Sequence, residues 1–443
     1  MASIEKLSEE ILEKIFEHFT IREKVLLESV CKRWQRILQR IAQNVVKIDI
    51  ACHEKIDSYK CKDSKHQYQA KDAIAISDTQ TAAKVIRRFP NLKAIYINVD
   101  TLSKIEPLLS AIGEVCTQIE HFEISFVFGK FTGQRMDLLL PAFNEKMKHF
   151  IFCESRMKCE MYPPGSVQPP SPFGNESIKS LFQRCPNLEM LVLNGSTCVS
   201  GDGLKYLPSS IKTLLLPSIW LNENDIYNVL EGNAKQIEEI ELIAAGEYQF
   251  REICEKMTKL KSLQIPTLQI DASDTVLLLT NLKHLENLSI GLSGLNIDDQ
   301  LIKIMRSCQK LKRLNLSSCA ISDKSLSIAH ELCPNLEIIE IYNYQENNGI
   351  TDVSIAALSN LKNLRELCIP QAKITGKSVC DLLSKCEKLN VLNVEGCGNA
   401  EAIVKAIIER AKSNSSQNFN LSLNYDYPVE KMRKPSNLSI NGQ

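Results

Sequence analysis

"QKLKRLNLSSCAISDKSLSIAHELCPNLEIIEI", Gln309 to Ile341, holds one whole period of the chain. The run L-x-x-L-x-L opens at Leu311 and opens again at Leu336, 25 residues later. Alternate residues of a strand share a face, so this short run predicts a strand with one apolar side. Between the two runs the period changes. Ser322 or Asp323 is a natural helix N-cap, Leu326, Ala329 and Leu332 follow at helical spacing, and Pro334 stops the helix. The unit is therefore strand, loop, helix. One such unit cannot bury its own apolar face, so neighbours must stack, with a parallel sheet inside and helices outside.

The same run recurs along the chain. Its first anchors fall at Leu92, Ile119, Met147, Leu188, Ile211, Ile237, Leu260, Leu285, Leu311, Leu336, Leu364 and Leu389, most of them 23 to 28 residues apart. Cys116, Cys185, Cys308, Cys333 and Cys386 each stand three residues before an anchor, and Cys319 and Cys397 stand eight after one. A fixed register points to small buried packing positions, with the thiol acting as a modest hydrophobe. In these residues the chain resembles the cysteine-containing class of leucine-rich repeats. The expected fold is α/β, a horseshoe solenoid over residues 91–425.

Two segments interrupt the rhythm. Residues 43–90 read as an opening repeat with a polar insertion: Val45 to Ile50 suits a strand, and residues 51–76 are polar. Cys52, His53, Cys61 and His66 invite a zinc reading, but no C-x-x-C pair accompanies them and a solvated insertion is the simpler account, so no metal and no cofactor is expected. The repeat from Met147 to Leu188 is stretched to 41 residues by a proline-rich loop at 161–175, whose prolines continue neither helix nor strand. Residues 426–443 have little periodic apolar content and are expected to be disordered.

Nothing later resembles the beginning, "LSEEILEKIFEHFTIREKVLLESVCKRWQRIL", Leu7 to Leu38. Leu7, Ile11, Leu12, Ile15, Phe16 and Phe19 form a helical stripe behind Ser8, and Glu9 and Glu10 suit the first-turn dipole. Thr20 to Glu23 is a capping box. A second helix then carries Val25, Leu26, Val30, Trp34, Ile37 and Leu38. The order L-x-x-E-I-L-x-x-I-F, a spacer, then V-C-K-x-W resembles the F-box, with Ser8 in place of the usual proline. On that resemblance residues 1–42 are a small all-α module that docks a Skp-family adaptor through Leu7, Ile11, Leu12, Ile15, Phe16, Phe19, Val30, Cys31 and Trp34. The resemblance implies a non-catalytic substrate receptor of a cullin–RING ubiquitin ligase, whose repeats hold a protein substrate.

Composition narrows the alternatives. Fifty-three basic residues balance 53 acidic ones, which argues against a nucleic-acid binder. No apolar run is long enough for a membrane span, and no secretory leader is legible. The expected location is cytosol, nucleus or both, where the 16 cysteines stay reduced and sequons such as Asn315-Leu316-Ser317 have no meaning. The chain has no phosphate loop, nucleophile elbow or H-E-x-x-H helix. "CHEK", Cys52 to Lys55, pairs Cys with His, but adjacent residues rarely form a nucleophile and its base. The rival reading is a ligase-independent repeat scaffold or inhibitor.

In L-x-x-L-x-L the third and fifth residues face the inner side of the sheet. The fifth positions are Tyr96, Glu123, Ile151, Val192, Leu215, Glu241, Gln264, Ser289, Asn315, Glu340, Cys368 and Asn393. Three successive aliphatics, with His149, Met190 and Thr213 beside them and Trp220 at the rim, mark either a candidate substrate surface, His149, Ile151, Met190, Val192, Thr213, Leu215 and Trp220, or a patch covered by the proline-rich loop of residues 161–175.

Overall fold

A computed structural model describes residues 4–52, 73–75, 79–154, 173–195, 198–233, 235–342, 349–397, 400–413, 418–422 and 435–441. The chain divides into two compact units, residues 1–233 and 234–443.

The first unit begins with helices α1 (Glu9–Glu17), α2 (Ile21–Leu27) and α3 (Lys32–Gln43). Ser8 caps α1, its hydroxyl accepting from the Ile11 N–H. The Thr20–Glu23 capping box starts α2, with both reciprocal hydrogen bonds made. The single helix expected over Thr20 to Leu38 is instead two, because the chain turns at residues 28–31 and restarts at Cys31, whose sulfur accepts from the Trp34 N–H at 3.5 Å. The core of this module is Leu12, Phe16, Ile37, Leu38 and Ile41, with the Trp34 ring edge-on to Phe16 at 4.9 Å.

Parallel strands follow: β1 (Lys47–Cys52), β2 (Ala73–Ala75), β3 (Ala94–Thr101), β4 (His121–Phe128), β5 (His149–Glu154), β6 (Met190–Asn194) and β7 (Thr213–Leu216). Pairing runs β2–β1–β3–β4–β5–β6–β7, so the opening strand lies beside the first regular repeat although the insertion separates them in sequence. Connecting helices are α4 (Thr79–Ile86), α5 (Glu106–Val115), α6 (Gly133–Leu139), α7 (Asn175–Arg184), α8 (Gly201–Leu204) and α9 (Glu223–Asn233). Phenylalanine replaces leucine through the middle of this unit. Phe122, Phe143 and Phe150 pack against one another, as do Phe131, Phe152 and Phe173, mostly edge-on at ring separations of 5.2–5.9 Å. Among the zinc candidates, Cys52 ends β1, and His53, Cys61 and His66 lie outside the described residues, as does most of the proline-rich loop. Phe173, at the end of that loop, is buried.

The second unit contains β8 (Glu239–Leu242), β9 (Ala244–Gly246), β10 (Ser262–Gln269), β11 (Asn287–Leu292), β12 (Arg313–Ser317), β13 (Ile338–Tyr342), β14 (Glu366–Cys368), β15 (Val391–Asn393), β16 (Phe419–Ser422) and β17 (Leu438–Asn441). Both β8 and β9 pair with β10, and the rest pair in chain order, all parallel. The last strand corrects the expectation of a wholly disordered tail. Leu438 is buried and residues 438–441 bond along β16, so one more short stretch finds a sheet edge despite its weak pattern. The helix expected in the quoted period is two short pieces, Asp323–Leu326 and Ala329–Leu332.

Two devices hold this unit. Three thiols of the cysteine register reach back to carbonyls at the preceding helix end: Cys308 to Leu279 and Leu282, Cys333 to Met305, and Cys386 to Ser359 and Leu361. Some of those carbonyls also accept a backbone N–H, Leu279 from Leu282, Leu282 from Leu285 and Leu361 from Leu364, so there the thiol is a second donor. Burial pushes the thiols up, Cys333 to about 12 and Cys308 and Cys386 to about 11. The second device is a carboxylate ladder. Asp298 accepts from the Ser322 N–H and hydroxyl and from Ser325, Asp323 accepts from both groups of Thr351 and both of Ser354, and Asp352 accepts from both groups of Thr375. It stops at Gly376, which has no carboxylate to offer. The α/β leucine-rich-repeat solenoid preceded by a helical module is thus the architecture of the chain.

Candidate functional site

Two surfaces carry the candidate residues, and both lie in the first unit. On the helical module the sequence-selected positions separate by depth. Leu12 and Phe16 are fully buried against Ile37, Leu38 and Ile41, so neither is available to a partner; the amphipathic stripe points them inward. Leu7, Ile15, Phe19 and Trp34 ring that core half-buried. Ile11 and Val30 are 48% and 57% exposed, and the Cys31 side chain is also exposed. Leu26, which spacing alone assigns to a packed face, is 63% exposed. Ile11, Leu26 and Val30 are large apolar groups left in water.

Charge fixes the frame around them. Arg40 bonds Glu9 at 2.8 Å and lies 3.3 Å from Glu13, and its hydrogen bond holds Glu9 below the usual carboxylate range. The Arg33 guanidinium donates to the Leu7 carbonyl, tying α3 to the start of α1. The module is also fastened to the first repeat. Glu28 and Arg88 pair at 2.6 Å, and Asn91 donates to the Gln43 carbonyl at 3.0 Å. Burial raises the Glu28 carboxyl despite the neighbouring Arg88, whose own side chain is exposed.

The second surface is the inner face of the sheet. The lateral pairing sets His121, His149, Met190 and Thr213 in one row and Tyr96, Glu123, Ile151, Val192 and Leu215 in the next. Asp49 stands opposite Tyr96, and Lys47 lies over the Tyr96 ring at 4.8 Å. The rows change character at β5. On the β1–β4 side Asp49, Tyr96, His121, Glu123 and Ser125 are buried, Glu123 to 1%. The Tyr96 and His121 rings are 4.7 Å apart, and His121 and His149 meet through their Nδ1 atoms at 3.2 Å. From β5 onward His149, Ile151, Met190 and Leu215 are half-buried, whereas Val192 and Thr213 are buried. Trp220, just beyond β7, is 63% exposed. The patch selected from sequence is therefore contiguous, but Val192 and Thr213 form its floor and offer a partner little surface.

Comparison with known proteins identifies the helical module. Residues 4–42 match the F-box domain. A relative in Candida glabrata, Antagonist of mitotic exit network protein 1, is 30% identical over 119 residues, which is 26% of this chain. The chain spans only 23% of that relative's length. Among solved structures, a chain of the yeast Rad7 and Elc1 complex superposes with a TM-score of 0.50 at 14% identity, covering 83% of this chain and 89% of that one. An internalin of Listeria monocytogenes gives a TM-score of 0.39 at 13% identity, covering 88% of this chain and 94% of its own. The yeast likeness is one of fold.

Proposed function

We propose that the chain is the substrate-recognition subunit of a cullin–RING ubiquitin ligase of the SCF type, working in the cytosol, the nucleus or both. The observation that carries this reading is an F-box whose apolar residues Ile11, Leu26 and Val30 stand in solvent while its base is clamped to a repeat solenoid. The helical module docks a Skp-family adaptor and, through it, the cullin. The likeness to a chain of a two-protein complex supports an adaptor partner. The repeats hold a protein substrate, and the half-buried row of His149, Ile151, Met190 and Leu215, with Trp220 at its edge, is the surface offered to it. The receptor performs no chemistry. Its contribution is to raise the effective concentration of a substrate lysine near the charged ubiquitin carrier, which requires that module and repeats not swing freely.

The test is affinity purification of the full chain from cells with proteasome activity blocked, comparing wild type with Trp220→Ala combined with Leu215→Glu. Wild type is expected to bring down adaptor, cullin and substrates. The variant keeps adaptor and cullin and loses substrates. A wild-type preparation with repeat-bound proteins and no adaptor would instead establish the ligase-independent scaffold.

A further inference from the structure

The polar half of the inner face contains a contact that tolerates one extra proton and not two. His121 and His149 are lateral partners on β4 and β5, and their Nδ1 atoms lie 3.2 Å apart with the rings edge-on. A hydrogen bond between two ring nitrogens needs one proton, carried by one of them. The Glu123 carboxylate lies 3.7 Å from His121 Nε2, which favours a proton on that nitrogen. In the neutral pair His121 Nδ1 is then bare and accepts from His149 Nδ1–H. A first added proton on His149 Nε2 leaves that bond intact, and a first proton on His121 Nδ1 reverses it once the His149 proton moves from Nδ1 to Nε2. A second proton puts N–H on both facing nitrogens and two positive charges side by side. The bond is then lost and the rings must part.

The charged and titratable groups facing the pair are Lys47 and Asp49 from β1, Tyr96 from β3, Glu123 from β4 itself, and Glu189 immediately before β6. Tyr96 covers one side of His121, so the ring that moves most easily is His149. His149 is half-buried and is the lateral neighbour of Met190, at the border of the apolar patch.

We propose that the His121–His149 pair is a proton-counting contact that makes the inner face of the first unit respond to acidification, displacing His149 toward Met190 and Ile151 when both rings are charged. The consequence for substrate capture rests on the function proposed above: a substrate seated on the row of His149, Met190 and Leu215 is released as pH falls.

The experiment uses the full chain labelled at isoleucine and methionine methyl groups, titrated from about pH 7.5 to about pH 5.5, the interval in which an ordinary imidazole charges. The Met190 and Ile151 methyl signals are expected to shift together in the wild type, and the shift is expected to vanish in His121→Gln and in His149→Gln, neither of which can form the double cation. Two variants are used so that misfolding of one, seen by circular dichroism, leaves the other decisive. Methyl signals that stay put in the wild type, or shift equally in a folded variant, overturn the proposal. Substrates co-purified at both pH values give the second arm. Methyl shifts accompanied by unchanged capture would uphold the histidine contact and overturn the assignment of this face as the substrate surface.

Discussion

Replacing Ile11, Leu26 and Val30 together by alanine separates docking from folding in the helical module. Full burial of a Leu, Ile or Val side chain is worth about 1.5–3 kcal/mol. These three are 48%, 63% and 57% exposed, so about half of each remains for a partner to cover. That gives about 1 kcal/mol per residue and about 3 kcal/mol for the set, or about a 150-fold rise in Kd at 1.4 kcal/mol per decade. The module should stay folded, because none of the three belongs to the buried core of Leu12, Phe16, Ile37, Leu38 and Ile41. Phe16→Ala is the contrasting case: it opens a cavity in that core at a cost of about 3–5 kcal/mol and abolishes docking by unfolding the module. Isothermal calorimetry with a purified Skp-family adaptor measures the first effect, and circular dichroism with thermal melting measures the second. A triple variant that melts like wild type and binds the adaptor within about threefold of it would refute this face as the docking surface.

In the carboxylate ladder, Asp323→Ala strips the acceptor from two donors of Thr351 and two of Ser354 and should cost about 2–4 kcal/mol in urea unfolding followed by circular dichroism. Burial raises the Asp323 carboxyl, but the four hydrogen bonds outweigh it and leave the pKa below its ordinary 3.8. A depressed folded-state pKa supplies stability that is complete above the unfolded value and lost as pH falls through the folded one. Wild type should therefore lose more stability than Asp323→Asn between about pH 4 and about pH 2. Among the thiols, Cys308, Cys333 and Cys386 should resist a maleimide under native conditions while the exposed Cys31, Cys198 and Cys380 are labelled, as mass spectrometry of the digested protein would register.

The repeats were legible because each buries the same three positions, and even the phenylalanine-rich strands keep that alternation at Phe122 and Ile124, or Phe150 and Phe152. Helix ends were less so. Apolar spacing runs from Val25 to Leu38 straight through the turn at residues 28–31, and the residue that restarts the helix is a cysteine, outside the usual capping set. Spacing also could not rank depth within a stripe. Leu26 and Leu12 carry the same side chain, yet one is exposed and the other buried, because tertiary packing decides which edge of the stripe the core reaches. Asp323 read as a local helix-start residue, while its acceptor role concerns Thr351 and Ser354 in the next repeat. The signal for that was present: Ser322-Asp323-Lys324-Ser325 recurs as Thr351-Asp352-Val353-Ser354. The histidine pair was equally accessible, since His121 and His149 occupy the third position of adjacent repeats.

The distribution of these devices explains why the fold and its ligand are read from different residues. Leucine and phenylalanine anchors fill the space between sheet and helices, the thiols close helix ends, and the aspartates join successive helix starts; none of these groups uses the third or fifth position of a strand. Those positions are thus released from most stability requirements, and a solenoid can carry Gln264, Ser289 and Asn315 there in one unit and Ile151, Val192 and Leu215 in the other with the same backbone pairing. Where an inner-face residue is nevertheless buried and tied to its neighbours, as Glu123 and His121 are, repeat architecture alone does not require it. Under the proposed function, the polar contacts beside the apolar row, rather than the leucines beneath it, are therefore the place to look for control of binding.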